Sequence, residues 1–350
     1  MSRNGDRPRI HLAYEFVDGP WGGANQFLKA LRDKLRAMGL YAESPEESNV
    51  ILMNSYHVNS TKTIKEVLRF KKKGGNSPRV MHRIDGPFSL VRGRPDVSDV
   101  AVRHVNLISD GTVFQTNWIK ENAKLSPKSR GLPSRVIGNA PDEKIFYQKT
   151  TSSDPSEKTK LLYTSWSTGM NKGFDTLKWI DENMDWDKYS MTFVGNSPTV
   201  FENICMRPPL GSEALAHEIR KHDIFISPAR NEPSSNAILE ALSCGLPVLA
   251  VNQGGSPELV GKSGELFDSP EEIPKLVKKI SQNLSVYRAK IQIRTMDDVA
   301  NDYVEFAREL LRRPPRETSS VKIRAIEIIW ASRVAQTIMK LQDLFSRLRD

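Results

Sequence analysis

Short apolar runs alternate with segments of helical length along almost the entire chain, and this alternation restricts the folds open to it. The strand-like runs are Ile10–Phe16, Val50–Asn54, Arg79–Asp85, Thr112–Thr116 and Arg135–Gly138 in the first half. Leu161–Ser165, Met191–Gly195, Ile224–Ser227, Val248–Val251 and Glu265–Phe267 follow in the second. Helical patterns such as Asn25–Met38, Thr61–Lys73, Phe174–Met184 and Asn236–Cys244 lie between them. Strands that alternate with helices predict parallel sheets, and a strand covered on both faces is short and apolar, as these are. The polar stretch Thr150–Lys158 breaks the alternation once and is the natural linker. The expected fold class is therefore α/β, with two Rossmann-like domains facing each other across a cleft. Ligand should sit at the carboxyl ends of the strands. The expected boundaries are 1–149, 160–313 and a helical tail over 314–350.

Composition narrows the function classes. At 350 residues the chain is long enough for two α/β domains. Its start is polar and lacks the apolar core of a secretion signal, so no secretion is read from it. No segment approaches the ~20 apolar residues of a membrane span. Two cysteines in unrelated contexts, Cys205 and Cys244, argue against a disulfide framework or a zinc site, and a reducing cytoplasm follows. The formal net charge of +9 attracts anions, whether nucleic acid, anionic lipid headgroups or phosphorylated small molecules.

The sharpest local signal is Glu232-Pro233-Ser234-Ser235-Asn236-Ala237-Ile238-Leu239-Glu240, which runs on to Gly245 and Pro247. Ile224–Ser227 ends just before it. A helix should begin near Ser235 and stop at Gly245. Small residues at Ser234 and Ser235 let a diphosphate approach the free amides of that helix start, where the dipole is positive. Glu240, about one and a half turns in, is placed for two ribose hydroxyls, since one carboxylate can accept both bonds. Eight helical residues rise ~12 Å, although Glu232 precedes the helix and its distance from Glu240 is not fixed by it. A hydrolase's carboxylate pair stands ~5 Å or ~6.5–9.5 Å apart, so two separate binding tasks suit the spacing better.

With the continuation Gly254-Gly255-Ser256-Pro257-Glu258, this stretch resembles the glutamate-x7-glutamate signature of family 4, the retaining glycosyltransferases of the GT-B fold. The resemblance implies that Glu240 holds the donor ribose and Glu232 the donor sugar. The amides near Ser235 and Asn236 would hold the diphosphate. It also implies that Lys172, in Asn171-Lys172-Gly173-Phe174, neutralises the leaving diphosphate. A desolvated ammonium facing developing negative charge is worth several kcal/mol in a preorganised site. Gly22 and Gly23, in Trp21-Gly22-Gly23-Ala24-Asn25, resemble the family's first-domain glycine loop, which approaches phosphate or sugar from across the cleft. His82-Arg83-Ile84-Asp85 ends the third strand, where relatives carry a histidine or a His-Asp pair reaching the donor sugar or the acceptor. His82 and Asp85 both qualify. Asn139-Ala140-Pro141-Asp142 looks like the turn that shapes the interdomain floor, and Pro209-Leu210 would lie against the base. One position departs from the pattern. Trp166 stands where the family has an arginine, so that charge comes from elsewhere, such as Arg230, or is done without.

The expected activity is transfer of a sugar from a nucleoside-diphosphate sugar to a hydroxyl on a glycan or lipid-linked acceptor, with retention. No cofactor, no metal and no nucleic-acid partner is expected. The alternatives are another GT-B enzyme, such as a phosphorylase or nucleotide-sugar epimerase, and a non-catalytic membrane-binding module. The tail keeps Ile326, Trp330, Val334, Ile338, Leu341 and Phe345 at helical spacing among basic residues, after Pro314-Pro315. It can pack on the first domain, pair with a second subunit, or lie on an anionic membrane through 317–350. The expected location is cytoplasmic, with the last of these adding a peripheral contact at the inner face of the membrane. The prolines suggest that the main body ends there and a separate helix follows.

Overall fold

The computed structural model describes residues 7–19, 22–54, 61–71, 77–125, 131–148 and 158–315, together with Val334 and Thr337. The expected amphipathic tail over 317–350, most of the linker and Trp21 lie outside the described residues, the two isolated positions apart. No helix among the described residues is long and apolar enough to cross a membrane.

The first domain runs β1 (Ile10–Ala13), α1 (Gly23–Ala37), β2 (Val50–Asn54), α2 (Thr61–Lys71), β3 (Arg79–Ile84), α3 (Phe88–Arg92), α4 (Val97–Asn106), β4 (Gly111–Phe114), α5 (Asn117–Asn122) and β5 (Ser134–Val136). Its strands pair in parallel in the order β1-β2-β3-β4-β5. Side chains alternate across the sheet, as the pleat requires. Val50 and Leu52 enter the core under α1, whereas Ile51 and Met53 enter the one under α2 and α4. Both faces are thus apolar, which is why β2 reads as an unbroken apolar run.

The second domain runs β6 (Thr159–Ser165), α6 (Phe174–Asn183), β7 (Tyr189–Gly195), β8 (Cys205–Arg207), α7 (Ser212–Ile219), β9 (Ile224–Ser227), α8 (Asn236–Ser243), β10 (Val248–Val251), α9 (Ser256–Val260), β11 (Gly264–Phe267), α10 (Ile273–Ser281) and α11 (Leu284–Arg288). Its six strands are parallel in the order β11-β10-β9-β6-β7-β8. Strand β8 is absent from the sequence reading. It is a three-residue edge strand exposed throughout, so it carries no apolar run to detect.

Helix α12 (Met296–Leu311), which closes the continuously described part of the chain, differs from expectation. The stretch assigned to the second domain up to residue 313 returns to the first. Met296, Val299, Ala300, Tyr303, Val304, Phe306, Ala307 and Leu310 form one apolar face buried among Ile10, Leu12, Phe27 and Leu31. Thr295 and Asp298 form a capping box at its start. Each large apolar side chain buried there contributes ~1.5–3 kcal/mol, so the return is driven by the core and not by a linker's length. A proline at Ala300 would remove an interior hydrogen bond and cost ~3 kcal/mol. Arg79 fastens the far end, donating to the carbonyls of Leu310 at 3.2 Å and Arg313 at 2.7 Å. Helix α12 therefore ends at the prolines already docked on the first domain.

Candidate active site

The carboxyl ends of the two sheets face one cleft of about 380 Å³. That volume falls in the range of small-molecule sites. Gly22, Gly23, Asp85, Lys172, Glu232, Ser235, Asn236 and Glu240 all line it. His82 does not.

Lys172 is placed by the turn after β6. Met170–Lys172 form a single 3-10 turn, and Gly173 follows with a left-handed φ of 75°. A Cβ at Gly173 would lie 2.4 Å from the carbonyl oxygen of Pro228, so only glycine permits this approach. The buried Tyr163 hydroxyl donates to the Lys172 carbonyl at 3.0 Å. The Lys172 Nζ then reaches the Glu232 carboxylate at 2.5 Å. Burial alone would lower the lysine's pKa, but the Glu232 carboxylate outweighs it and holds the ammonium above its ordinary value. The lysine therefore enters the cleft as a cation.

Glu232 sits on the loop after β9. Its carbonyl accepts from the Gly255 amide at 2.8 Å, and the next carbonyl, of Pro233, accepts from Thr116 Oγ1 of the first domain at 2.9 Å. Asn231, just before it, has φ 51° and is the one non-glycine residue among those described with a left-handed backbone. Strain of this kind persists where surrounding contacts over-determine the chain.

Helix α8 opens at Ser235, whose side chain caps the Ile238 amide. The first amides of the helix have no intrahelical acceptor, and Ser235, Asn236 and Ala237 line the cleft. Ser234 Oγ is buried there without a hydrogen-bond partner. Glu240 lies further along the same helix. Burial pushes its carboxyl up to about 8, and no hydrogen bond or ion pair to another described residue offsets this. A desolvated carboxylate with no protein donor is costly unless a ligand supplies the donors.

The first domain contributes more than the sequence reading named. Asp85 accepts from Arg83, from Gln115 Nε2 at 2.5 Å and from Asn54 Nδ2 at 2.6 Å. Asn139 accepts from Arg83 at 2.8 Å and donates both to Gln115 Oε1 at 3.0 Å and to Asn236 Oδ1 at 2.8 Å. A polar chain thus runs from Asp85 to the first residue of α8. Gly23 closes on that residue, since a Cβ there would fall 2.2 Å from Asn236 Nδ2. Arg83 and Gln115 line the cleft and were missed, whereas Ser234, also in the lining, stands where the sequence placed it. Period two along β3 gives the only available hint, because Arg83 shares the face of Asp85.

The same period removes His82. Its ring is fully buried on the opposite side of the sheet, where Asn106 Nδ2 contacts its Nδ1 at 3.3 Å. Burial lowers its pKa to about 4, so it is a neutral core residue. Of the pair left open by the sequence, Asp85 is the one in the cleft. Arg230, named above as one source of the missing charge, is not brought into the cleft. It is outside the cleft lining, its guanidinium paired with Asp175 at 2.6 Å. Trp166 does line the cleft, 42% exposed. Val194, Gly195, Pro209 and Leu210 form the end expected for the base.

Fold and cleft together define an architecture: two parallel-sheet α/β domains across a cleft, the GT-B fold. Within it, residues 190–285 match the family model described as Glycosyl transferases group 1. That stretch holds the Glu232 loop and α8. Among curated proteins, sulfoquinovosyl transferase SQD2 of Arabidopsis thaliana is 28% identical over 142 residues, 37% of this chain and 27% of that protein. A probable sucrose-phosphate synthase of Thermosipho melanesiensis is 25% identical over 163 residues, 43% of this chain and 38% of that one. The matches therefore span well under half of these relatives. The fold is shared over nearly the whole chain with sucrose-phosphate synthase from Thermosynechococcus elongatus. The TM-score is 0.62 at 14% identity, covering 97% of this chain and 100% of that one. Anabaena HepE, solved with UDP and glucose, gives a TM-score of 0.61 at 13% identity, covering 85% and 99%.

Proposed function

We propose that this chain transfers a sugar from a nucleoside-diphosphate sugar to a hydroxyl acceptor, with retention of configuration. One observation carries the reading: the half-buried Glu240 carboxylate lines the cleft with no protein donor among the described residues, on the helix whose first amides, with Lys172 in the same cleft, suit a diphosphate. Ribose hydroxyls would supply the donors Glu240 lacks. The diphosphate would take the α8 amides, Ser234 Oγ and the Lys172 ammonium. Anabaena HepE has been solved with UDP, with UDP and glucose, and with UDP-glucose, which supports the same donor class here.

The chemistry is charge stabilisation and positioning. As the bond from the anomeric carbon to the diphosphate breaks, negative charge grows on the leaving oxygens, and the Lys172 ammonium, held in place by Glu232, meets it. Glu232, paired with Lys172 at 2.5 Å, then lies beside the sugar and accepts from its hydroxyls. Asp85 is held by Arg83, Gln115 and Asn54, which fixes it as a hydrogen-bond acceptor toward the sugar or the incoming hydroxyl. In this reading the charge of the leaving group is met by Lys172 and α8, and no metal is required. The acceptor is a glycan or a lipid-linked glycan, and the work is done at the cytoplasmic side.

A panel of UDP-, GDP- and ADP-sugars tests the proposal. One of them should yield free nucleoside diphosphate together with a glycosylated product of unchanged anomeric configuration. Release of an epimerised nucleotide sugar, or of sugar phosphate, would replace the reading with one of the other GT-B activities.

A further inference from the structure

Cross-domain contacts around the cleft fall into two groups. The first is at its floor, where Thr116 holds the Pro233 carbonyl and the Glu258 carboxylate accepts from the amides of Asn117 at 2.9 Å and Trp118 at 3.2 Å. Asn139 and Asn236 add a bond nearby. The second is at the rim, where Asn171 reaches across. Asn171 Nδ2 donates to the carbonyl of Val91 at 2.7 Å and to that of Leu90 at 3.2 Å. Those carbonyls belong to the last turn of α3, in the opposite domain, where the Leu90 carbonyl also accepts from the Gly93 amide at 3.3 Å. Asn171 immediately precedes Lys172. Its own carbonyl accepts from the Arg230 amide at 2.7 Å, so the turn is held from both sides.

We propose that Asn171 is a positioning residue that clasps the Lys172 turn to α3 and so makes delivery of the ammonium depend on closure of the two domains. The floor contacts are many and shared between several segments. The rim contact is one amide against two carbonyls, and it is the contact whose release lets the cleft widen at its mouth. Asn171 reaches no pocket-lining position itself, so its effect passes through Lys172. Helix α3 begins three residues after Asp85. The clasp therefore ties the segment beside the acceptor-side carboxylate to the segment that carries the cation. The role of Lys172 rests on the donor-site reading, but the clasp does not.

The test uses the full chain with spin labels at two exposed positions, Arg94→Cys in the first domain and Asn183→Cys in the second, in a Cys205→Ser background. The interdomain distance is measured by electron–electron double resonance without ligand and with UDP. Asn171→Asp keeps the size but loses the donor and faces carbonyls with an acceptor. Two hydrogen bonds of ordinary net strength correspond to roughly a tenfold fall in the closed population. The expected result is a longer and broader distance in Asn171→Asp, a distribution close to wild type in Asn171→Gln, which retains the donor amide, and an unchanged melting temperature in both. Superimposable distributions in wild type and Asn171→Asp would overturn the clasp. The UDP titration of the wild type reads the donor site separately, because the ligand-free distances need no nucleotide.

Discussion

Replacing Glu240 by glutamine should stabilise the protein at high pH while weakening nucleotide binding. The carboxyl titrates at about 8 in the folded chain because burial disfavours its charge, against an ordinary 4.5 in the unfolded chain. Between those values the folded state binds the proton and the unfolded state does not, so stability falls as pH rises. The stability of the neutral form is fully present below about 4.5 and lost as pH climbs through about 8. At roughly 1.4 kcal/mol per pH unit the span sets an upper limit of about 5 kcal/mol on the cost of the ionised carboxylate. Relaxation and water entry reduce that, and a gain of about 1–3 kcal/mol at pH 9 is the practical expectation for Glu240→Gln. At pH 5 the two proteins should unfold together. Denaturant unfolding at both pH values measures the difference. A glutamine variant that is less stable than wild type at pH 9, or equally shifted at both, would refute the desolvated-carboxylate argument. The same variant should lose the pH dependence of uridine binding, which in wild type should strengthen as pH rises toward 8, since ribose donors favour the ionised form.

Other outcomes follow from the cleft. Lys172→Ala should weaken UDP binding by about 1–3 kcal/mol, the worth of hydrogen bonds to charged groups, as read by calorimetry. Glu232→Gln should lower transfer rates more than it lowers affinity for free UDP, and a variant with wild-type turnover would contradict its place at the sugar. Asp85→Asn leaves Arg83 buried without its counter-charge and should cost about 3–5 kcal/mol in chemical denaturation. His82→Leu should leave UDP affinity unchanged, because the ring lies across the sheet from the cleft.

Much of this was legible in the sequence, and the reasons differ by element. Buried parallel strands such as Val50–Asn54 announce themselves because both faces are apolar. The Glu232–Glu240 stretch was legible because a capped helix start, a second carboxylate and a glycine stop must occur at fixed intervals. Strand β8 left no trace, being an exposed edge. The first-domain network was harder. Arg83 is fully buried, and a charged residue is read by default as surface. Only its partners, Asp85, Asn139 and Asn54, make its burial tolerable, and Asn139 comes from 56 residues away. The choice between His82 and Asp85 needed the strand's register, since one step along β3 exchanges the two faces. The return of α12 was misread because Pro314-Pro315 drew the boundary to itself. The helix before it carries the apolar face, and that face fits only a core assembled from residues near the other end of the chain.

The most direct test is titration calorimetry of UDP, GDP and ADP against the wild-type chain and a Lys172→Ala, Glu240→Ala double variant. One of the three nucleotides should bind the wild type and lose roughly a hundredfold or more in affinity in the double variant, while the variant keeps its folded circular-dichroism spectrum. Equal binding by both proteins, or no binding of any of the three to the wild type, would contradict the assignment of this cleft to a nucleoside-diphosphate sugar.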